Sequence, residues 1–489
     1  MKEGLIGGSL KLFSEDQIHR IHTSALSLLE DFGMECESDL ILDIFEKEGG
    51  DVDRDSRVIK VPPEMVEAAL ESAPGSFVLY GRQPDLDLLI EPGRVYFGMG
   101  GTSEPFFWDY GHGGPRSPTK ADMINNTRVG EAATHVDFIM SLCSASDVPS
   151  GQNYLHEYDA IFRNTRKPVV YTSPGQWQTT KFFEMAAAAS GGMDVFRERP
   201  CVVFFAQPVS PMRVGRYSEG MVEAAKLGVP ILFAPGPMMG ATCPVTVAGM
   251  LAQTNAEALF GIVMSQIIRA GAPVFYSPHT AVMDMSTAQC MYASPEQALG
   301  RAAIAQMGFH YGLPTFGLGG GVEAKSPDAE AAAQAMMGCM LNAFSGLTLT
   351  QTLGTLASGL YGSPEMVLIC DEIVHMIKRL MSGVDFSDAA LALDVIKEVG
   401  HGGDFLSHDQ TARLFREELF FPNLFRRQSI EQWKESGSKS ITEVAHERVQ
   451  QILSRSGPIP LPDGADEALS EVLGAAIQEM AAGLNEESV

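Results

Sequence analysis

The chain has 489 residues, of which 45% are hydrophobic, and it carries a formal net charge of −26. An acidic excess of this size argues against binding to nucleic acid phosphate and against docking on an anionic membrane, since both repel a negative surface. Seven dispersed cysteines without a CxxC pair are typical of a reducing compartment. With no N-terminal signal and no run of 18 apolar residues, the sequence predicts a cytoplasmic protein.

The first 94 residues predict an extension that precedes the main domain. Ser14 and Gln17 have the spacing of a capping box, which predicts a helix over 18–32. The segment 85–95 predicts a hairpin that turns at Pro92 and Gly93.

From residue 95 to residue 365 one pattern recurs: an apolar run that ends in Pro or small residues, followed by a helical stretch. The apolar runs lie at 95–102, 138–147, 168–173, 201–211, 230–242, 273–284, 314–321 and 347–360. They lack polar alternation, which is typical of parallel strands buried on both faces. Eight strand–helix units predict a (β/α)8 TIM barrel, in which chemistry takes place at the C-terminal ends of the strands.

Beyond the eighth strand the sequence predicts helices at 364–381, 387–399 and 430–453, and an Ala-rich helix in the tail. We therefore predict an α/β fold with three parts. Residues 95–381 form the (β/α)8 TIM barrel, and mainly helical N-terminal and C-terminal extensions occupy 1–94 and 382–489.

Several common chemistries have no motif in this chain. No GxGxxG follows a strand, which argues against a nicotinamide or flavin cofactor, and the Gly-rich segment 317–326 has Ala where a phosphate loop needs Gly before Lys325. No HExxH and no cysteine or histidine cluster is present, so we predict that no metal ion is bound.

The predicted strand ends are rich in Gly, Ala, Ser and Pro and poor in Lys and Arg. Small residues on adjacent loops let a large flat ligand approach the backbone, although tight turns alone also explain them. Aromatic residues and carboxylates near these ends are what a quaternary ammonium requires, because it has no N–H to donate and is held by cation–π contacts and charge. Each aromatic residue taken singly also fits ordinary packing.

Three segments carry a resemblance to a known family: PMMGATCPVT at 237–246, QTNAE at 253–257 and FREELFFPNLFRRQSIEQW at 415–433. Over essentially its whole length, the chain resembles the trimethylamine methyltransferase (MttB-like) family. Founding members carry pyrrolysine in the loop after the seventh strand, just before a Pro-Asp pair, and that position here is Ser326. The chain is therefore similar to the non-pyrrolysine branch, which includes demethylases of betaines and related quaternary amines.

The resemblance implies a methyltransferase that moves a methyl group from a quaternary amine of the betaine class to Co(I). The cobalt would belong to the cobamide of a separate, cognate corrinoid protein, so no cofactor is expected to stay bound to this chain, and a homo-oligomer is expected. One alternative is a methyltransferase for methylamines of the trimethylamine type. Another is a non-catalytic subunit with the same barrel that binds betaine or assists assembly.

Barrel geometry and the resemblance together predict the site. The methylammonium head is placed among Phe106, Trp177 and Tyr276, and the substrate's other end is placed near His279 and Gln351. Gln351 stands where betaine enzymes of the family often have a histidine on the eighth strand. Glu104, the remaining predicted substrate-binding residue, or Glu323 is expected to supply distant negative charge, and the catalytic candidates are Glu323, Ser326 and Asp284.

Overall fold

A computed structural model describes residues 1–101 and 104–483. Eight parallel strands form its centre: β1 (Arg94–Met99), β2 (Phe138–Ile139), β3 (Val169–Thr172), β4 (Val202–Ala206), β5 (Ile231–Phe233), β6 (Val274–Tyr276), β7 (Phe316–Leu318) and β8 (Leu349–Leu353). They pair in the order β6–β5–β4–β3–β2–β1–β8–β7. Between β6 and β7 the Tyr276 amide donates to the Pro314 carbonyl at 2.9 Å, so the ring of strands is nearly closed.

A helix follows each strand. These helices are α1 (Lys120–Ala132), α2 (Asn153–Asn164), α3 (Gln176–Ser190), α4 (Gly220–Leu227), α5 (Val247–Ile268), α6 (Pro295–Tyr311), α7 (Ala329–Ser345) and α8 (Pro364–Met381). Met193–Glu198 is a short additional helix after α3. The predicted TIM barrel is confirmed, and every strand lies within its predicted apolar run except β1, which begins one residue earlier, at Arg94.

Side chains of the strands alternate between the barrel interior and the helix layer. On β6, Phe275 belongs to the interior cluster with Phe205 and Phe316, whereas Val274 and Tyr276 pack in the outer cluster. A hairpin of Phe77–Leu79 and Leu88–Ile90 contributes Leu79, Leu88 and Ile90 to the interior cluster. The hairpin predicted at 85–95 is wrong, because Leu88–Ile90 pairs with Phe77–Leu79 and the start of β1 pairs with Leu5–Ile6.

The predicted runs 230–242, 273–284 and 347–360 are longer than their barrel strands because their ends form small sheets beyond the barrel. The loops after β1 and β8 pair through Phe106–Asp109, Gly114–Arg116, Thr355–Leu356 and Tyr361–Gly362. The loops after β5 and β6 pair through Met238–Met239, Ala281–Asp284 and Gln289–Met291. These two sheets and the remaining loops enclose the C-terminal ends of the strands.

The N-terminal residues cover one side of the barrel. Their helices are Glu15–Ser27, Asp39–Lys47 and Pro63–Ser72, with a π-helical turn at Leu28–Phe32, and their strands are Leu5–Ile6, Met34–Cys36, Asp51–Asp53 and Val58–Lys60. The capping box of Ser14 and Gln17 is confirmed. Phe45 stacks on Phe260 of α5 with ring centroids 4.7 Å apart, which joins this region to the barrel.

The C-terminal residues form the helices Asp388–Leu391, Leu393–Val399, Asp409–Glu418, Ile430–Glu435, Ile441–Arg455 and Ala465–Ala481. Ile441–Arg455 packs on α8 and α1, and Ala465–Ala481 packs on α3 and α2. The helices predicted at 387–399 and 430–453 are each divided in two. The breaks contain Ala392 at φ +52° and Gly437 at φ +93°, conformations that a right-handed helix cannot include.

Helix α5 is the one described helix that is long and apolar enough to span a membrane. Of its most apolar window, 72% is buried inside the structure, where it packs against the N-terminal helices and β6. Its composition is therefore explained by its place in the protein core.

Candidate active site

A cavity of about 230 Å³ lies at the C-terminal ends of the strands. Residues that follow β1, β4, β5, β6, β7 and β8 line it. We call it the central cavity. It occupies the position at which barrels of this kind bring residues from distant parts of the chain together.

Glu104, in the loop after β1, is the acidic residue of this cavity. Its side chain is 3% exposed, Oε1 accepts a hydrogen bond of 2.6 Å from the Thr355 hydroxyl, and Oε2 has no partner. Burial, with a smaller contribution from the nearby Glu157, raises the pKa of this carboxyl to about 8. A Cβ at Gly101 would lie 2.9 Å from Oε1, so a larger residue there would displace the carboxyl.

His279 lies in the cavity wall against two phenylalanine rings. Its ring centroid is 5.3 Å from that of Phe316 and 5.8 Å from that of Phe205. Burial lowers the pKa of His279 to about 4, so the imidazole is neutral at pH 7. Its Nε2 atom has no hydrogen-bond partner.

Gln351 enters the cavity wall from β8, where the strand is irregular. The pairing of β8 with β1 shifts register between Thr350 and Leu353, and Thr352 adopts φ +74°. The Thr352 hydroxyl accepts a hydrogen bond of 2.9 Å from the Gly321 amide, which holds this bulge. Gln351 is 2% exposed and its Oε1 has no partner.

Tyr292 lines the cavity and was missed by sequence reasoning. It follows the strand Gln289–Met291, and burial raises the pKa of its hydroxyl above the ordinary value. A Cβ at Gly321 or at Gly359 would lie 3.0 Å from this side chain. The signal in the sequence was the presence of these glycines in the loops after β7 and β8. Glycines indicate that a side chain approaches closely, but they do not indicate which side chain it is. Gln207 and Thr355 also line the cavity and were also missed.

The three predicted cage aromatics do not line the central cavity. Tyr276 faces the helices, because it follows the inward Phe275, and its hydroxyl donates to Asn255 of α5 at 2.8 Å. Trp177 begins α3, and its indole donates to Glu479 at 2.9 Å. Phe106 is 44% exposed on a loop strand. The predicted cage of these three side chains is therefore not formed.

The three catalytic candidates also lie outside the cavity lining. Glu323 accepts a 2.6 Å hydrogen bond from the Ala293 amide, and Ser326 donates a 2.5 Å hydrogen bond to Asp328 at the start of α7. Asp284 accepts from the amide and hydroxyl of Ser286, which lower the pKa of its carboxyl. The structure gives each of these side chains a contact that shapes a loop. Of the predicted site residues, it brings together Glu104, His279 and Gln351.

A second, more open region of about 620 Å³ adjoins the central cavity. It lies over the ends of β3, β4 and β5, and it shares Gln207, Gly236 and Met238 with the cavity. Its described lining is uncharged and includes Tyr154 and Tyr217. We call it the open region.

Among residues 1–101 and 104–483, no group of three or more His, Cys, Asp or Glu side chains is arranged to hold a metal ion. Within the same residues, the lining of the central cavity and of the open region contains no Lys or Arg. The site therefore consists of one carboxyl, neutral polar groups and rings.

The fold is a (β/α)8 barrel, and the candidate site lies at the ends of its strands. Residues 6–481 match the profile of the family described as "Trimethylamine methyltransferase (MTTB)". The chain belongs to this family and is a methyltransferase, so the predicted family is confirmed.

Similar proteins include methyltransferases for two kinds of amine. The chain is 35% identical to the trimethylamine methyltransferase MttB of Desulfitobacterium hafniense (strain DSM 10664 / DCB-2), over 94% of this chain and 92% of that protein. It is 31% identical to the glycine betaine methyltransferase of D. hafniense (strain Y51), over 94% of this chain and 95% of that protein. Among solved structures, the Methanosarcina barkeri monomethylamine methyltransferase (MtmB) matches with a TM-score of 0.46 and 12% identity, over 93% of this chain and 96% of that one.

Proposed function

We propose that this chain transfers a methyl group from a quaternary methylammonium compound to the Co(I) of a corrinoid carried by a separate protein. The observation that carries the proposal is the buried Glu104 carboxyl, with one unpartnered oxygen, in a small cavity that also contains aromatic rings. A cation without N–H groups can be bound only through charge and ring faces. The glycine betaine methyltransferase among the relatives supports a quaternary substrate.

In this reaction the C–N bond breaks and its electron pair stays on nitrogen. The products are a neutral tertiary amine and the methylated corrinoid, so the leaving amine needs no proton from the protein. The task of the chain is to hold the N–CH₃ bond in line with the acceptor. Positioning of two reactants contributes about 7–11 kcal/mol to lowering such a barrier.

The environment of Glu104 suits a reaction in which positive charge disappears. At pH 7 a carboxyl with a pKa of about 8 is protonated in roughly a tenfold excess. An ion pair with a bound cation therefore requires that the carboxyl first loses its proton. The free energy of this deprotonation offsets part of the attraction between the cation and Glu104 in the ground state. Because the cation loses charge in the transition state, a moderate ion pair opposes the reaction less than a strong one.

The open region is where we place the methyl acceptor. Its uncharged lining, with Tyr154 and Tyr217, is compatible with the face of a large flat macrocycle, and it shares walls with the central cavity. Such a ligand would reach a methyl group held beside Glu104 without crossing the barrel. The corrinoid would stay with its own protein and meet this chain only during transfer.

A second candidate substrate is a tertiary methylamine. The family description and the 35% identical relative both name trimethylamine methyltransferases. This candidate requires the same cavity and the same acceptor. The two differ in whether the fourth position on nitrogen carries a carbon substituent or, in the protonated amine, a hydrogen that can be donated.

Methyl transfer is tested by mixing the purified chain with reduced free cobalamin and single amines, and following the absorbance of methylated cobalamin. We expect transfer from quaternary amines and a reduced rate for Glu104→Gln. A matched control is Glu330→Gln, which changes net charge equally at an exposed residue in the first turn of α7. Transfer from trimethylamine alone would favour the second candidate. Binding without transfer from any amine would instead support a non-catalytic subunit.

A further inference from the structure

The charge that the described lining of the central cavity can carry at pH 7 to 9 is negative. Among its described lining residues, Glu104 is the carboxyl, and Lys and Arg are absent. His279 is neutral at pH 7 because burial lowers its pKa to about 4. A carboxylate placed in this cavity would therefore meet a like charge or a neutral group, and no cation.

The buried cation Arg301 does not supply the missing charge. It lies on α6, and its Nη1 donates to the Leu318 carbonyl of β7 at 3.0 Å. A Cβ at Gly338 of α7 would lie 3.4 Å from the same Nη1 atom. The guanidinium is thus held behind β7; its Nε and Nη2 atoms have no partner, and Arg301 is not among the residues that line the cavity.

The cavity also limits the size of its ligand. A volume of about 230 Å³ corresponds to roughly eight water molecules at ~30 Å³ each. A methylated ammonium head with a two-carbon arm has about this number of heavy atoms. The polar groups left for the end of the arm are neutral, and they include the Gln351 amide, whose Oε1 has no partner.

We infer that the substrate is a quaternary methylammonium cation without an anionic group, whose arm ends in a hydroxyl or another neutral hydrogen-bonding group. This inference rests on the proposed methyl transfer and names the substrate class of the same site. Glu104 balances the positive charge of the head. Neutral side chains bind the arm, and a betaine carboxylate has no partner.

The pH dependence of binding distinguishes the two kinds of ligand. Four neighbouring side chains interact with Glu104, and each comes from a different element. They are Thr355 in the loop after β8, Glu157 in α2, Tyr292 in the loop after β6 and Cys143 in the segment after β2. Burial raises the pKa of the Tyr292 hydroxyl and the Cys143 thiol above their ordinary values, and raises the pKa of Cys290, which also lines the cavity, to about 11. Of the groups that line the cavity, Glu104 is the one whose pKa lies between 7 and 9.

Ionisation of Glu104 strengthens cation binding and weakens carboxylate binding. Affinity for a cation should therefore rise by up to about tenfold between pH 7 and pH 9. A ligand that also carries a carboxylate should gain less affinity over the same interval, since ionised Glu104 attracts its ammonium head but repels its carboxylate.

Choline and glycine betaine are a matched pair for the test. Both have a trimethylammonium head and a two-carbon arm, and they differ in whether the arm ends in a hydroxyl or a carboxylate. Calorimetric titration at pH 7 and pH 9 should give choline the tighter binding, by at least about tenfold at pH 9. Glu104→Gln should reduce this preference and abolish its pH dependence, and Glu330→Gln should leave both unchanged.

Glycine betaine binding as tightly as choline at pH 9 would overturn the inference, as would a failure of both to bind. The comparison is made with the unaltered chain, so it does not depend on the folding of a variant. The cobalamin assay decides the proposed function separately. Tight binding of glycine betaine together with methyl transfer from it would support the proposed function and reject this substrate class. Binding of choline without methyl transfer from any amine would support the substrate class and reject the proposed function.

Discussion

Replacing Glu104 by Gln should change how the stability of the protein depends on pH. The substitution keeps the size of the side chain and its hydrogen bond from Thr355, and it removes the titrating carboxyl. In the folded chain the pKa of Glu104 is raised from 4.5 to about 8. Between these two values the folded state binds a proton that the unfolded state has lost, so stability falls as pH rises.

The size of this effect follows from the linkage relation. Each pH unit in the interval contributes about 1.4 kcal/mol, so the stability of the unaltered chain should fall by about 2.5 kcal/mol relative to the variant between pH 5 and pH 7. An unfolding entropy of ~2.1 cal/mol/K per residue gives roughly 1 kcal/mol/K for a chain of this length. The expected difference in Tm therefore changes by about 2–3 °C.

Scanning fluorimetry of the two proteins in parallel, from pH 5 to pH 9, measures this difference in Tm. The other titrating groups are the same in both proteins, so their effects on Tm cancel in the difference. Glu330→Gln serves as the control, because that side chain is exposed. A Tm difference between the unaltered chain and Glu104→Gln that stays constant from pH 5 to pH 8 would refute the reasoning. The carboxyl would then titrate near its ordinary value and would not be buried as described.

Four further substitutions test the placement of single residues. Tyr276→Phe should lower the free energy of unfolding by about 1 kcal/mol through loss of the hydrogen bond to Asn255. Calorimetry should show unchanged amine binding, and weakened binding would mean that Tyr276 contributes to the site. Trp177→Phe should speed hydrogen exchange in the helix Ala465–Ala481 through loss of the bond to Glu479, and unchanged exchange would mean that this contact does not hold the helix. Gln351→Leu should weaken the binding of choline about fivefold and leave the binding of tetramethylammonium unchanged, because tetramethylammonium has no polar arm. An equal loss of affinity for both cations would contradict the role of the amide. Gly321→Ala places a Cβ 3.0 Å from the Tyr292 ring and should weaken binding of both cations, so an unaltered affinity would show that the position of this ring is unimportant.

The sequence alone determined the elements and their order. An apolar run followed by an amphipathic or Ala-rich stretch is a local pattern, and the capping box at Ser14 is set by neighbours three residues apart. These signals were sufficient to locate all eight strands of the barrel. Local patterns also placed Glu104, His279 and Gln351 near the strand ends, because the position of a residue along the chain sets its height in the barrel.

Only the tertiary structure decided which way each side chain faces. Buried parallel strands are apolar on both faces, so the sequence contains no signal that puts Phe275 inside the barrel and Tyr276 outside it. Trp177 follows β3 as predicted, yet its indole bonds to Glu479, which lies 302 residues later in the chain. Contacts of this kind depend on how the extensions fold over the barrel, and they determine which side chains can reach the cavity.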